Sequence, residues 1–187
     1  MSMPELDNFE GWARRLRRLV RDAVRDEKEA STLRPAVTVD GVLRIECYRY
    51  YRRLKRAGMV GRLAEHLAEE ETGRWRRHKG KGADAVLRLL ERSGKEWTLT
   101  PPRRGRIARE LNFADRFNIH SKLLLAFLYE AGPHQLIRKA ANARKAAPWM
   151  EPYQRLSNVL REDASKRKAT MPLVIESRLA QRPDRTI

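Results

Sequence analysis

Apolar residues near the start of the chain recur every three or four positions, which is the spacing of one face of an α-helix. Phe9, Trp12, Leu16 and Val20 form this stripe, and arginines occupy much of the remaining surface. The pattern predicts an amphipathic helix over Leu6–Glu29. Its arginines are either an ordinary solvated face or contacts for a polyanion, because every surface helix shows a polar face to water.

A different pattern follows the first helix. Residues 35–39 are rich in β-branched side chains, Asp40-Gly41 is typical of a two-residue turn, and residues 42–46 alternate between apolar and polar. This arrangement predicts a β-hairpin.

The second predicted strand meets a helix at Cys47. From Tyr48 onward apolar residues recur at helical spacing, and Gly58 is placed to end the helix. The start of a helix leaves backbone N–H groups without partners at the positive end of the helix dipole, and so favours an anion. Arg49 and Arg52 lie three positions apart near this start, where their guanidinium groups suit phosphate oxygens. A solvated basic helix face would show the same spacing.

The run Leu43–Leu54 resembles the strand, turn and helix signature of the ParB/sulfiredoxin superfamily. Cys47, Arg49 and Tyr50 match the Cys-x-Arg-Tyr part of the sulfiredoxin motif, whereas Glu46 stands where the family has glycine. The resemblance implies an α+β fold, with a small mixed sheet surrounded by helices in a predominantly helical chain. It also implies that the junction holds the phosphates of a nucleotide.

The roles of the site residues follow from this resemblance. It implies that Cys47 stands at the position of the sulfiredoxin nucleophile, that Arg49 binds phosphate, and that Tyr48 replaces a phosphate-binding histidine. The residues assigned to catalysis are Glu46, Cys47 and Arg49, and those assigned to nucleotide binding are Cys47, Tyr48, Arg49 and Arg52. Metal ligands are left unassigned. In the alternative interpretation, Cys47 is a small buried hydrophobe.

The length, the charge and the Cys-x-Arg-Tyr junction are similar to those of plasmid fertility-inhibition proteins within this superfamily. That similarity implies an ATPase and DNA nuclease that uses ATP and Mg²⁺ and suppresses conjugative DNA transfer. It further implies DNA and components of a type IV secretion system as partners. Phosphoryl-transfer chemistry needs mainly positioning and charge neutralisation, which such a site supplies with few residues.

The charge of the chain supports a second hypothesis that needs no chemistry. Its 187 residues carry a formal net charge of +17, more than solubility requires, which indicates a polyanionic partner. DNA is the first choice. A non-enzymatic basic DNA-binding protein, of the plasmid partition or repressor type, needs only this charge. A protein that docks on an export machine is the third alternative.

The predicted DNA contacts lie in two basic segments, the first helix and the glycine-containing run Arg74–Asp84. The second segment resembles a phosphate-contacting loop at the start of a helix, although a basic connector would have the same composition. The residues assigned to DNA binding are Arg14, Arg18, Arg21, Arg74, Arg76, Arg77, Lys79 and Lys81.

The remaining chain is predicted to be mostly helical, in one domain over 1–176 with a flexible basic tail over 177–187. Glu96–Thr100 and Met171–Glu176 have the composition of short strands. The predicted helices cover 103–112, 113–132, 133–147 and 149–168. A helix-turn-helix across 112–114 is an alternative for this part, although its turn lacks glycine.

A lone cysteine excludes an intrachain disulfide, and no N-terminal apolar run resembles a signal peptide. The longest apolar run, Leu123–Tyr129, is too short to cross a bilayer. We therefore expect a cytoplasmic protein with no membrane span.

Overall fold

The computed structural model describes residues 8–29, 39–69, 82–92, 99–133, 135, 137 and 147–179. Its elements are α1 (Phe9–Glu29), α2 (Val39–Arg56), α3 (Val60–Glu69), α4 (Ala83–Arg92), α5 (Pro101–Arg116), α6 (Leu124–Ala131) and α7 (Glu151–Leu179), with 3₁₀ turns at Ser121–Leu123 and Pro148–Met150. The described residues contain no strand, so the predicted α+β fold with a small mixed sheet is wrong. What the chain forms in these ranges is an assembly of helices.

The segment predicted as the second hairpin strand is the first half of α2. The helix runs through residues 39–46 without a break, and Asp40 lies in its first turn, where a negative charge suits the positive end of the helix dipole. Buried residues follow helical spacing along α2 at Leu43, Cys47, Tyr50 and Leu54. The short alternation over 42–46 is therefore part of a longer helical period, and the hairpin prediction is wrong there. Residues 35–38 of the first predicted strand lie outside the described ranges.

Helix α2 is the centre of the core and packs against α1, α3, α4, α5 and α6. The ring of Trp12 in α1 stacks on Tyr50, with 3.9 Å between the ring centroids and 8° between the planes. Tyr48 is fully buried, and its hydroxyl donates to the backbone oxygen of Ile119 at 2.7 Å. Because a buried hydroxyl needs a hydrogen-bond partner, this bond fixes α2 against the turn that follows α5.

Gly58 ends α2, which confirms the sequence-based expectation for this position. Its φ of +69° lies in the left-handed region that favours glycine. The N–H of Met59 donates to the backbone oxygen of Leu54 at 2.8 Å, as in the common glycine-terminated helix end.

Helix α5 ends in the same way, with asparagine in the place of glycine. Asn118 has a φ of +58°, and the N–H of Ile119 donates to the backbone oxygen of Ala114 at 3.0 Å. Phe113 and Ala114 are buried inside α5. The helix boundary predicted at 112–114 is therefore wrong, and the turn lies several residues later.

The first turns of α7 pack on the rest of the described structure. The hydroxyl of Ser157 is buried and accepts a hydrogen bond from the backbone N–H of His120 at 2.7 Å. Leu156 and Val159 of this helix are 52% and 53% exposed. Residues 171–176, predicted as a strand, belong to this helix. Although α7 has 29 residues, neither it nor another described helix is apolar enough over a sufficient length to cross a bilayer.

Candidate nucleic-acid interface

Cys47, the predicted nucleophile, lies inside an unbroken helix and is fully buried. Burial, and then the nearby carboxylate of Glu46, raise the pKa of its thiol far above the ordinary value. A protonated, buried thiol is a poor nucleophile. In addition, backbone N–H groups in a helix interior are already bonded within the helix. The strand-to-helix junction predicted at Cys47 is wrong, and the anion site expected from its free N–H groups has lost its physical basis.

The other residues assigned to nucleotide binding or catalysis are divided between the core and the surface. Tyr48 is buried, whereas Glu46 and Arg49 form an ion pair at the surface, with 2.5 Å between Oε1 and Nη1. Nη1 of Arg52 donates to the backbone oxygen of Ile119 at 2.6 Å, and its Nη2 donates to Oδ1 of Asn118 at 2.5 Å. The structure therefore does not bring the four predicted nucleotide ligands together in one site.

What the structure does show on α2 is a row of arginines, which we call the arginine stripe: Arg49, Arg52, Arg53 and Arg56. Their spacing of three, four and seven positions places them on one side of the helix. A cavity lies on either side of the stripe. The stripe therefore connects two concave surfaces that both contain arginine.

The first cavity, which we call the groove, lies between α1 and α2 and has a volume of ≈ 480 Å³. It is lined by Trp12, Arg15, Leu16, Leu19, Glu46, Arg49, Tyr50 and Arg53. Three of these residues are arginines, and Glu46 is the one acidic residue among them. Arg14, Arg18 and Arg21, which were assigned to DNA binding, are exposed on α1. The groove and this face of α1 together extend the basic surface away from the stripe.

The second cavity, which we call the arginine pocket, has a volume of ≈ 410 Å³. It is lined by Arg52, Arg56, Asn118, His120, Arg161, Ala164 and Ser165. None of these lining residues is acidic. Three guanidinium groups from α2 and α7 therefore face one another across a cavity without a carboxylate in its wall.

The electrostatics of the arginine pocket reflect this imbalance. Partial burial, and then the positive charges of Arg52 and Arg56, lower the pKa of Arg161. Burial followed by the positive charge of Arg161 likewise lowers the pKa of His120, with smaller contributions from Arg52, Lys122 and Arg56. Like charges that remain close without counterions favour the binding of an anion between them.

Carbonyl oxygens at the end of α5 reduce the repulsion between Arg52 and Arg161. The backbone oxygen of Asn118 accepts a hydrogen bond from Nη2 of Arg161, and that of Ile119 accepts one from Arg52. Carbonyl oxygens at the C-terminus of a helix carry partial negative charge and attract cations. One helix end therefore holds guanidinium groups from two other helices.

Sequence reasoning missed Arg15, Arg53, Arg56, His120 and Arg161 as members of this surface. The helical spacing of the arginine stripe is visible in the sequence and would have added Arg53 and Arg56. No local pattern links Arg161 to α2, because the contact is made through the end of α5. Residues 74–81, which contain the other assigned DNA contacts, lie outside the described residues. Among the residues that the structure describes, no three His, Cys, Asp or Glu side chains are grouped as a metal site would require.

Comparisons with protein-family models, with curated proteins and with solved structures found no match to this chain. The resemblance to the ParB/sulfiredoxin superfamily thus stays a prediction based on a short motif. The sheet that this resemblance implied is not seen in the described ranges.

Proposed function

We propose that this protein is a non-enzymatic DNA-binding protein that holds the phosphate backbone along the arginine stripe. The observation that supports the proposal most is the arginine pocket, where Arg52, Arg56 and Arg161 face a cavity whose lining contains no acidic residue. Guanidinium groups in this situation gain from an added polyanion, because phosphate oxygens match their donor geometry and neutralise their charge. The net charge of +17 adds a long-range attraction for the same partner.

The dimensions of the stripe suit a nucleic-acid backbone. Arg49 and Arg56 are seven residues apart on α2, a rise of roughly 10 Å along the helix axis. Each strand of duplex DNA presents a phosphate about every 3.4 Å along the axis of the double helix, so the length of the stripe is comparable with the axial span of a few successive phosphates. The groove and the pocket continue the contact on either side. Arginines that contact phosphates position the protein without reading base sequence.

The enzymatic hypothesis lacks comparable support. Of its assigned catalytic residues, Cys47 is buried, and Glu46 and Arg49 are paired with each other. ATP hydrolysis, DNA cleavage with Mg²⁺ and inhibition of conjugative transfer through a type IV secretion system all stay predictions. DNA binding needs none of these activities, and the cytoplasm is the compartment we expect for it.

The salt dependence of binding tests the proposal. Fluorescence anisotropy of a short duplex, labelled at an internal base, gives the binding constant between about 50 and 200 mM salt. We expect the logarithm of the binding constant to fall linearly with the logarithm of the salt concentration. The triple variant Arg49→Gln, Arg53→Gln, Arg56→Gln should weaken binding to all duplex sequences alike. It should also reduce the slope by about one for each phosphate that the variant no longer neutralises.

The matched control removes three positive charges elsewhere. Arg106, Arg109 and Arg155 are exposed and line neither cavity, so the variant Arg106→Gln, Arg109→Gln, Arg155→Gln has the same net charge as the stripe variant. Circular dichroism of both variants checks that helical content is preserved. If the control variant changes the slope as much as the stripe variant does, the stripe is not the binding surface. A wild-type protein that does not bind duplex at low salt would overturn the proposed function itself.

A further inference from the structure

The arginine pocket holds more positive charge than one internal phosphate would neutralise. An acidic side chain lies near Arg52, since Oδ1 of Asp115 is 3.7 Å from its Nε. Oδ2 of Asp115 is shared with Lys55, at 2.5 Å from Nζ. Among the described residues, Arg56 and Arg161 have no carboxylate partner. The pocket thus contains two guanidinium charges without an acidic counterpart and a third that shares one.

One hydrogen-bond donor of the pocket, on Arg161, also lacks an acceptor in the described structure. Nη1 of Arg161 donates to Oδ1 of Asn158 at 2.8 Å and Nη2 donates to Asn118, but Nε is buried without an acceptor in the described structure. Buried donors without acceptors are uncommon in folded proteins, and one beside a cavity points to a ligand that supplies an oxygen. His120 accepts a hydrogen bond at Nδ1 from the backbone N–H of Lys122 at 3.3 Å. Its ring proton is therefore on Nε2, which is a donor.

The shape of the pocket distinguishes it from the open stripe. Arg52 and Arg56 of α2 form one wall, Arg161 and Ser165 of α7 form another, and Asn118 closes the side between them. An internal phosphodiester must enter and leave its site with chain on both sides, which an open helix face allows more easily than a walled cavity. A volume of ≈ 410 Å³ accommodates a terminal phosphate with part of the attached nucleotide.

We propose that the arginine pocket binds a phosphate monoester, and that the terminal phosphate of a nucleic-acid strand is the group it takes. This inference rests on the proposed function, because the strand attached to that phosphate would run along the arginine stripe. A monoester carries a charge of about −1.5 to −2 near neutral pH. An internal diester carries a single negative charge, so the monoester compensates the excess of guanidinium charge better.

The stripe and the pocket are directly connected. Nε of Arg49 donates to Oγ of Ser121 at 3.4 Å, and Ser121 is the next residue in the chain after His120, which lines the pocket. A strand that ends in the pocket can therefore continue past Arg49 toward the groove. In this arrangement the arginine pocket binds the end of the strand, and the arginine stripe and the groove contact its phosphate backbone.

The test compares duplexes of one sequence that differ only at their ends. With an internal label, anisotropy measures binding of duplexes with 5′-phosphate, 3′-phosphate or only hydroxyl ends. We expect one of the phosphorylated duplexes to bind roughly tenfold more tightly than the hydroxyl duplex. The variant Arg161→Gln should weaken the phosphorylated duplex much more than the hydroxyl duplex, so that the two bind with equal affinity; the hydroxyl duplex should lose only the contribution of one phosphate contact. Arg155→Gln, six positions earlier in α7 and paired with Glu151, is the matched control and should retain the preference.

A competition experiment identifies the source of the monoester. A nucleoside monophosphate and inorganic phosphate should each lower the affinity for the phosphorylated duplex to that for the hydroxyl duplex, whereas the corresponding nucleoside should not. Equal affinity for phosphorylated and hydroxyl duplexes overturns the monoester site but leaves the proposed DNA binding intact. If no duplex binds while the nucleoside monophosphate binds to wild type and not to Arg161→Gln, the pocket is a monoester site and the proposed DNA binding fails. Binding of neither duplex nor monophosphate overturns both.

Discussion

Arg44 and Arg56, in the first and second halves of α2, have opposite surroundings. In the first half, Arg44 lies 2.8 Å from Oε2 of Glu110 and 3.2 Å from Oδ2 of Asp40, and Asp40 is also paired with Arg103. In the second half, Arg49 is paired with Glu46 and Arg52 is 3.7 Å from Asp115, but Arg52 is also held by carbonyl and amide oxygens, and Arg56 has no carboxylate partner among the described residues. Arginine matched by carboxylates stabilises the fold, whereas arginine held by neutral oxygens keeps its charge available for a ligand.

The direction of the pKa shifts expresses the same difference. Burial by itself lowers the pKa of Arg44, but the carboxylates of Glu110 and Asp40 raise it above the ordinary value of the guanidinium. In the arginine pocket burial and neighbouring cations both lower the pKa of Arg161. The pKa shift of an arginine in an internal ion pair thus has the opposite sign to that of an arginine among other cations.

The largest expected effect is on stability, in the first half of α2. Replacing Arg44 by alanine leaves the carboxylate of Glu110 without its partner, in a side chain that is 9% exposed. Breaking a buried pair in this way costs about 3 kcal/mol or more in the free energy of unfolding. Urea unfolding followed by circular dichroism measures the loss. A change below about 1 kcal/mol would mean that the pair is not desolvated enough to matter.

The second prediction is that Arg56 contributes to DNA binding and contributes little to stability. The variant Arg56→Ala should change the free energy of unfolding by less than about 0.5 kcal/mol, because the side chain is exposed and has no described partner. It should nevertheless reduce the salt-dependence slope of DNA binding by about one. Arg103→Ala, which also removes an exposed arginine but one paired with Asp40, is the control for charge. If both variants lower the slope equally, Arg56 contributes no more to DNA binding than an arginine of α5 that is paired with a carboxylate.

The third prediction concerns the pH dependence of His120. In the folded protein the pKa of His120 is lowered from the ordinary value of the imidazole, since burial and then Arg161, Arg52, Lys122 and Arg56 disfavour the charged ring. A histidine whose pKa is lower in the folded than in the unfolded protein stabilises the fold at pH values above its pKa in the unfolded chain. This contribution is lost as the pH falls below about 6.5, because the unfolded chain then binds the proton more readily.

Proton NMR titration of the imidazole, assigned with His120→Gln, measures this pKa directly. Arg161→Gln should raise the pKa of His120 by removing the strongest cationic neighbour, and bound phosphorylated duplex should raise it further. Arg155→Gln should leave it unchanged. A histidine that titrates at or above 6.5 in the free wild-type protein would contradict the excess of positive charge in the pocket.

The smallest effect is expected at the exposed end of α7. Arg155 and Glu151 form an ion pair four residues apart with 2.6 Å between Nη2 and Oε1, and their side chains are 77% and 61% exposed. Exposed pairs of this kind contribute at most about 0.5 kcal/mol. Thermal unfolding of Arg155→Ala should therefore be close to that of wild type, and added salt should reduce the remaining difference. A larger loss would mean that α7 depends on this pair for its contact with the rest of the protein.

The helices that the sequence predicted well are those with a long and uniform period. The stripe of Phe9, Trp12, Leu16 and Val20 is buried in α1, and the arginines of the opposite side are exposed, as the spacing indicated. The segment 42–46 was misassigned because five alternating residues fit a strand as well as a turn of helix. Its helical state becomes evident when Leu43 is counted with Cys47, Tyr50 and Leu54 as one buried row.

The candidate site was less predictable than the fold. The motif around Cys47 drew the assignment toward a thiol that lies in the core, although the interpretation as a small buried hydrophobe was kept open. Arg49 and Arg52 do belong to the basic surface, but as parts of a helix face and not of a helix start. Their partners His120 and Arg161 come from distant segments and could not be chosen from sequence spacing.

By itself the sequence determined the charge of the chain, the amphipathic period of α1 and the end of α2 at Gly58, since these depend on composition and on neighbours within a few residues. The tertiary structure alone decided that residues 39–46 are helical and that Arg161 meets Arg52 and Arg56. Both outcomes depend on contacts between segments far apart in the chain, where packing against α1 and α5 and the carbonyl oxygens at the end of α5 outweigh local preference.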